Sequence, residues 1–216
     1  KLSNNSDIKY STLNENGYGG ITLTNSKMTE CTVSNNSFND FGITSSDSHI
    51  TNSFVTNNSG GGVNSSRDIY INVNIANNDR SSYGAGVYTT TETQFVNCNI
   101  VRNYNRYASN TASGGVYASS SSSTFTNCII WGNVTFRVPA SSNIYGDATY
   151  SYCAIEGGAT GTANITLDSL NSGSDANAYY PNFVNPSDTA GHVSLNDYDW
   201  NLAAGSACIN RGIPTT

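Results

Sequence analysis

The chain is short of charge: 9 basic and 15 acidic residues among 216, only 11% of the total, with a net charge of −6. A surface this poor in cations has little to offer a polyphosphate or an anionic bilayer, which argues against nucleic acid or an anionic membrane as its main partner. Long apolar runs are missing as well. None approaches the roughly 20 residues of a membrane span, so no membrane insertion is expected, and the stretch from Lys1 does not read as a signal peptide. Histidine is limited to His49 and His192, so far apart in sequence that a catalytic triad has no support. The five cysteines are an odd number without a CxxC spacing, which gives no zinc motif and leaves at least one thiol unpaired. No window shows a convincing apolar spacing at three and four, so helices are not expected.

What the chain does have is repetition. The nonamers "IKYSTLNEN", "MTECTVSNN", "ITNSFVTNN", "YINVNIANN", "FVNCNIVRN", "FTNCIIWGN" and "YSYCAIEGG" begin at Ile8, Met28, Ile50, Tyr70, Phe95, Phe125 and Tyr150. Their first positions are large and apolar or aromatic, their sixth are Leu13, Val33, Val55, Ile75, Ile100, Ile130 and Ile155, and their fourth are small. A shorter signal precedes most copies: "GGI" at Gly19, "FGI" at Phe41, "GGV" at Gly61, "AGV" at Ala85 and "GGV" at Gly114. Each repeat thus holds two short alternating segments separated by turn residues, a pattern of strands. The fourth positions recur 20 to 30 residues apart, which suits one turn of an all-β solenoid of seven coils. Equivalent residues then stack at about 4.8 Å, with positions one, four and six pointing inward. The low charge therefore does not signal disorder, because the repeats supply a regular core.

This arrangement explains the fourth-position Cys98 and Cys128 as small apolar fillers of the interior, where a disulfide between directly stacked strands would have unfavourable geometry. Cys208 lies outside the repeats. The closing residues Asn16, Asn36, Asn58, Asn78, Asn103 and Asn133 form a column at a corner, where Asn tolerates left-handed backbone and its amide bonds locally or from turn to turn.

The combination of "GGV" with "FVNCNIVRN" and "FTNCIIWGN" resembles right-handed parallel β-helix repeats of the pectate-lyase-like superfamily. It is closest in kind to bacterial surface proteins with repeats like those of chlamydial polymorphic outer-membrane proteins, whose hallmarks are GGA(I/L) and FxxN; here the Asn falls one place earlier. Residues 179 to 214, "YYPNFVNPSDTAGHVSLNDYDWNLAAGSACINRGIP", resemble the closing segment of Bacteroidetes secreted β-helix proteins. The resemblance implies a single-stranded right-handed parallel β-helix and a secreted or outer-surface location in a bacterium. Coils are expected over residues 1–158 and a C-terminal capping segment over 159–216, anchored by Phe183, Trp200 and Leu202 and folded over the last turn. At the other end "KLSNNSDIKYSTLNEN" enters a repeat at once, which predicts a cap supplied upstream or by a partner chain.

Outward positions define the candidate surfaces. Asn52, Asn72, Asn97 and Asn127 form one column, beside Phe54, Val101, Ile129 and Trp131, which are either a binding patch or the seat of the C-terminal segment. Tyr88, Tyr117 and Tyr145 form another, suited to stacking on the sugar rings of a polysaccharide or cell-surface glycan; the alternative is that the rings stack on one another. Tyr83, Tyr104 and Tyr107 lie in nearby loops. For catalysis, Asp47, Asp68 and Glu92 sit at similar offsets before three consecutive strands; glycoside hydrolysis needs two carboxylates about 5–10 Å apart. The alternative is a row of solvated turn acids without basic neighbours. Arg80, Arg102 and Arg106 with Asp79 make the most charged spot, either a binding and catalytic site for uronates, as a lyase would need, or a loop salt-bridge network. No cofactor is indicated; calcium would enter only with a lyase.

The sets carried by enzymes of the resembled superfamily are missing: there is no paired "DD" with "GHG", only "AGHVS" around His192, and no Asp-rich strand with an Arg partner. Two functions are therefore expected in competition: a non-catalytic, adhesin-like or glycan-contacting module, and a polysaccharide-degrading enzyme.

Overall fold

The computed structural model describes residues 1–37, 40–107, 109, 111–136, 143–167, 181–191, 193 and 198–213. No helix occurs among them, and the strands build three long parallel sheets. The first holds seven strands, from Leu2–Ser3 through Ile43–Ser46 to Ile144–Gly146. The second and third hold eight each and run from Asp7–Lys9 to Gly161–Thr162 and from Thr12–Asn14 to Ile165–Leu167. Seven successive coils contribute one strand to each sheet, Gly161–Thr162 and Ile165–Leu167 extend only the second and third, and register follows the repeat: Tyr70 pairs with Ile50 and Phe95, and Ile75 with Val55 and Ile100. The expected parallel solenoid is what forms.

The nonamer is not one strand but two. Left-handed backbone recurs every fifth residue: Asn25, Glu30 and Asn35 in one coil, Asp47, Asn52 and Asn57 in the next, Arg67, Asn72 and Asn77 in the one after, all with φ between 48° and 57°. Four extended residues followed by one left-handed corner make one face, and three such faces make the regular part of a coil. Asn52, Asn72, Asn97 and Asn127 consequently stand on a corner and not on a flat sheet. The residue after each corner turns inward, which is why the fourth nonamer position is small and buried.

Inside, columns of like residues stack. Tyr70, Phe95, Phe125 and Tyr150 lie ring on ring, with centroids 4.8, 4.6 and 5.1 Å apart. Met28 and Ile50 continue the column, and Val33, Val55, Ile75, Ile100, Ile130 and Ile155 line the neighbouring face; all are buried. Each fully buried side chain of this size contributes about 1.5–3 kcal/mol.

The closing asparagines are interior residues. Asn36, Asn58, Asn78, Asn103 and Asn133 are at most 1% exposed, and the left-handed geometry expected of them falls on the residue before, as at Asn35, Asn57, Asn77 and Arg102. Freed from the corner, each amide builds a ladder. Asn58 Nδ2 donates to Asn78 Oδ1 at 2.9 Å and to Val33 O at 3.0 Å, while Asn78 Oδ1 also accepts from Asn58 N at 3.0 Å. The same set repeats at Asn78 and Asn103 and ends on Asn143, which takes the ladder place where the seventh nonamer has Gly158 and donates to Glu156 Oε2 at 3.0 Å. Unpaired amides in this interior would cost about 1–3 kcal/mol each; the ladder satisfies them all. It also explains the "GG" signal. A Cβ on Gly20, Gly42, Gly62, Gly86 or Gly115 would come within 2.6–3.0 Å of a ladder Nδ2, so the second glycine is the space the asparagine occupies.

The described residues between 181 and 213 lie along the flank of the stack, where folding over the last turn was expected. Phe183 and Trp200 pack with Val101, Ile129, Trp131 and Ala154 in a second apolar cluster, and an antiparallel pair, Phe183–Asn185 with Asp199–Leu202, frames it. Val101, Ile129 and Trp131 are thus the seat of this segment, whereas Phe54, an earlier-coil member of the same expected patch, stays outside the cluster and 47% exposed. Corner residues clasp it: Asn77 Nδ2 donates to Ser187 Oγ at 2.9 Å and to Gly191 O at 3.2 Å, and Arg102 O accepts from Gly191 N at 2.7 Å. His192, Pro214 and residues 168–180 of the expected cap fall outside the described residues.

Candidate functional site

The first sheet carries the tyrosine row. Tyr88 pairs with Tyr117 and Tyr117 with Tyr145 in register, and their ring centroids stand 5.5 and 5.1 Å apart. The rings therefore stack on one another, and the row is still partly open to solvent. Tyr117 has Tyr88 against one side and Tyr145, inclined by only 19°, against the other, so its ring faces are already engaged. The row is wider than the repeat suggests. Phe41 continues it at 6.3 Å from Tyr88, and Tyr83 leans on both Tyr88 and Tyr117 at 6.1 and 5.1 Å. Tyr107 meets Tyr83 edge-on at 6.4 Å. The most open rings are Tyr83 at 46%, Tyr107 at 44% and Tyr145 at 37% exposure.

Local sequence explains this assembly. Outward positions of the first sheet are free of the core, so aromatics there cost no packing. Gly84 brings the Tyr83 loop against the sheet, since a Cβ on it would lie 2.3 Å from Val87 O and 2.9 Å from Tyr117 Cβ. Phe41 enters because the third coil reads "FGI" where others read "GGI"; that substitution was the available signal for it. Burial, followed by the neighbouring phenols of Tyr145, Tyr88 and Tyr83, holds the Tyr117 hydroxyl above the ordinary phenol range, so it is a neutral hydrogen-bond donor at physiological pH.

The arginines do not form one site. Arg80 lays its guanidinium 3.7 Å from the Phe41 ring centre, closing one end of the aromatic row, and donates to Gly60 O. Arg106 pairs with Asp79 at 2.7 Å. Arg102 sits on a left-handed corner, 7% exposed, with its guanidinium 4.6 Å from the Trp131 ring, where it supports the C-terminal segment. Side chains close in sequence thus serve three purposes, and only Arg80 belongs to the row.

The carboxylates do not converge either. Asp47 is an outer corner residue and Arg67, directly above it, holds it bidentately at 2.7 and 2.8 Å, so the acid row does have a basic neighbour. The Arg67 hydrogen bond keeps Asp47 below the usual carboxylate range. Glu92 is exposed. Asp68 is one place further along the chain, the residue after the Arg67 corner, and so turns inward. It is fully buried and accepts from Ser45 Oγ at 2.7 Å, Ser48 N at 2.8 Å and Ser66 N at 2.9 Å, with Tyr70 Oη 2.6 Å from the same Ser45 hydroxyl. Desolvation pushes Asp68 up to about 6 despite these bonds. A carboxylate sealed in the core and one paired outside it cannot flank a glycosidic bond. Among the described residues no group of three or more His, Cys, Asp or Glu is arranged to hold a metal ion.

A family model described as "Right handed beta helix region" matches residues 1–159. No curated protein matches the chain. Among solved structures, trypsin-treated QnrB1, a plasmid-mediated fluoroquinolone resistance protein, is similar at 14% identity, covering 76% of this chain and 83% of that one with a TM-score of 0.23. Full-length QnrB1 gives 14% identity, 78% and 85% coverage and a TM-score of 0.22. At such scores the likeness carries no argument about this chain.

Proposed function

The chain belongs to the right-handed β-helix family, and from that premise we propose that it is a non-catalytic, secreted or cell-surface module of a bacterium that contacts a glycan along its first sheet. One observation carries the reading: a continuous row of aromatic side chains from Phe41 to Tyr145, with Tyr83, Tyr107 and Tyr145 open to solvent, on an exterior otherwise poor in charge. Exposed aromatic rings and neutral phenol donors suit sugars, which present both C–H faces and hydroxyls. Stacking leaves the faces of Tyr117 engaged, so a polymer lying parallel to the solenoid axis would meet edges and hydroxyls there and ring faces at Tyr83, Tyr107 and Tyr145. One sugar unit per coil is the natural register. An Asn-, Ser- and Thr-rich exterior and the resemblance to bacterial surface β-helices support the location. The scattered carboxylates and arginines favour binding over cleavage.

Affinity electrophoresis of the chain in gels containing soluble polysaccharides tests this. Retardation by at least one glycan, reduced by about tenfold in affinity in the Tyr83→Ala, Tyr107→Ala and Tyr145→Ala variants, is expected; retardation unchanged by all three substitutions would remove the row from the account.

A further inference from the structure

A second site lies elsewhere, where the C-terminal segment meets the corner between the second and third sheets. There a cleft of about 430 Å³ opens between the fifth to seventh coils and residues 200–212, a volume within the range of about 300–1,000 Å³ usual for small-molecule sites. One wall is made by corner residues. Asn97 and Tyr152 have φ of 53° and 55°, the geometry that turns a side chain out of the coil. The opposite wall is Trp200, Asn201 and Arg211. Trp200 is fixed by packing against Phe183 at 5.3 Å and is only 6% exposed, so the small part of it that borders the cleft is rigid and apolar.

Some polar groups of the wall are already engaged, Asn99 Nδ2 with Asn74 Oδ1, Asn127 Oδ1 with Ile213 N and Asn201 Nδ2 with Asp199 Oδ1; others are not. Among the described residues the ion pairs are Lys9 with Asp7, Arg67 with Asp47 and Arg106 with Asp79; Arg211 is in none of them. Among the described residues it is the one charged residue lining the cleft, with no carboxylate beside it in the wall. In a chain of net charge −6, a pocket whose sole charge is a cation is a local reversal of sign. Cys208, also in the wall, has its thiol pushed up to about 11 by burial and so adds no negative charge at neutral pH. The side chains of Asn97 and Tyr152 make no hydrogen bond within the described residues, leaving an amide and a phenol directed at whatever enters.

We propose that this cleft binds a small polyhydroxylated carboxylate, a sugar acid of about one or two rings, with Arg211 on the carboxylate, Asn97 and Tyr152 on ring hydroxyls and the exposed edge of Trp200 against the ring. The guanidinium matches a carboxylate with two parallel hydrogen bonds, and the amides and phenol match hydroxyls that both donate and accept. The site is independent of the aromatic row.

Titration of the full chain with glucuronic acid and with glucose, followed by tryptophan fluorescence and calorimetry, tests it. Glucuronic acid is expected to bind at least tenfold more tightly than glucose, since only the acid can form the charge-assisted bidentate pair with Arg211. Arg211→Gln, at an exposed position, should abolish that preference while leaving the melting temperature unchanged. Asn97→Asp, which keeps a residue tolerant of the left-handed corner, should weaken glucuronate by like-charge repulsion. Tyr145→Ala, in the row on the first sheet, should leave it untouched, so failure of this site and failure of the row are distinguished. Absence of glucuronate binding at tens of millimolar, or equal binding by Arg211→Gln, would overturn the proposal.

Discussion

Replacing Gly62 by alanine adds one methyl group to a coil that has no room for it. The new Cβ would stand 2.4 Å from Gly86 O, 2.7 Å from Ile75 Cγ2 and 3.0 Å from Asn78 Nδ2. The isoleucine methyl and the amide have some freedom; the carbonyl has none, because it accepts the coil-to-coil bond from Val63 N at 2.9 Å. Relief therefore requires the third and fourth spacings of the stack to open locally, which stretches that bond and the Asn58 to Asn78 rung at 2.9 Å. Overpacking of this kind costs about 1–3 kcal/mol and each weakened hydrogen bond about 1 kcal/mol, so a loss of roughly 3 kcal/mol is expected. For a chain of this size that is a fall of about 6–12 °C in melting temperature. Gly17→Ala is the matched control, since a Cβ there meets nothing within 4 Å; it should stay within about 0.5 kcal/mol of the parent. Urea denaturation of both variants, with hydrogen exchange at the Val63 amide, reads the difference. If Gly62→Ala proved as stable as Gly17→Ala, the claim that the glycine column exists to admit the asparagine ladder would be wrong.

Asp68 makes stability depend on pH. Its folded-state pKa of about 6 lies above the ordinary 3.8, so the folded chain holds this proton more tightly than the unfolded one; stability should be greatest below pH 4, fall through the interval to 6 and level off above it, by on the order of 3 kcal/mol. Asp68→Ser, which restores the residue that Ser48 and Ser123 place in the same column, should flatten that slope in denaturation curves collected from pH 4 to 7; an unchanged slope would assign it to other groups. Cys128→Ser should cost little, because Ser53 fills the same column and bonds Thr51 O as Cys128 bonds Thr126 O; a melting temperature more than a few degrees lower would contradict this. In the folded protein, thiol reagents at neutral pH should react slowly with Cys208 and not with the buried Cys31, Cys98, Cys128 and Cys153, all five becoming reactive on unfolding.

Much of this fold was legible in the repeats. Large, small and apolar residues at positions one, four and six identified the inward columns, and Val101, Ile129 and Trp131 marked the seat of the C-terminal segment. The corners were not read, although Asn, Asp, Glu and Arg at every fifth residue spelled them, because alternation alone continues smoothly through a nonamer and only the backbone angle breaks it. That error carried into the candidate carboxylates. Thr90 is an extra residue, visible as the register shift that pairs Ser65 with Thr89 but Ser66 with Thr91, so Glu92 aligns with Arg67 and Asp47 while Asp68 falls one place inward. At a left-handed corner one residue separates solvent from core. The arginines diverged for a different reason: nearness in a loop says nothing of where long side chains lead, and Phe41, Asp79 and Trp131 each captured one.

The most direct test of the central claim is a glycan array run beside reducing-end and unsaturated-uronate release assays on the same polysaccharides. Retention of a glycan without release of product is the predicted result, with retention lost when Tyr83, Tyr107 and Tyr145 are replaced together. Release of sugar or unsaturated uronate by the parent chain would contradict the account and return attention to Asp47, Glu92 and the arginines.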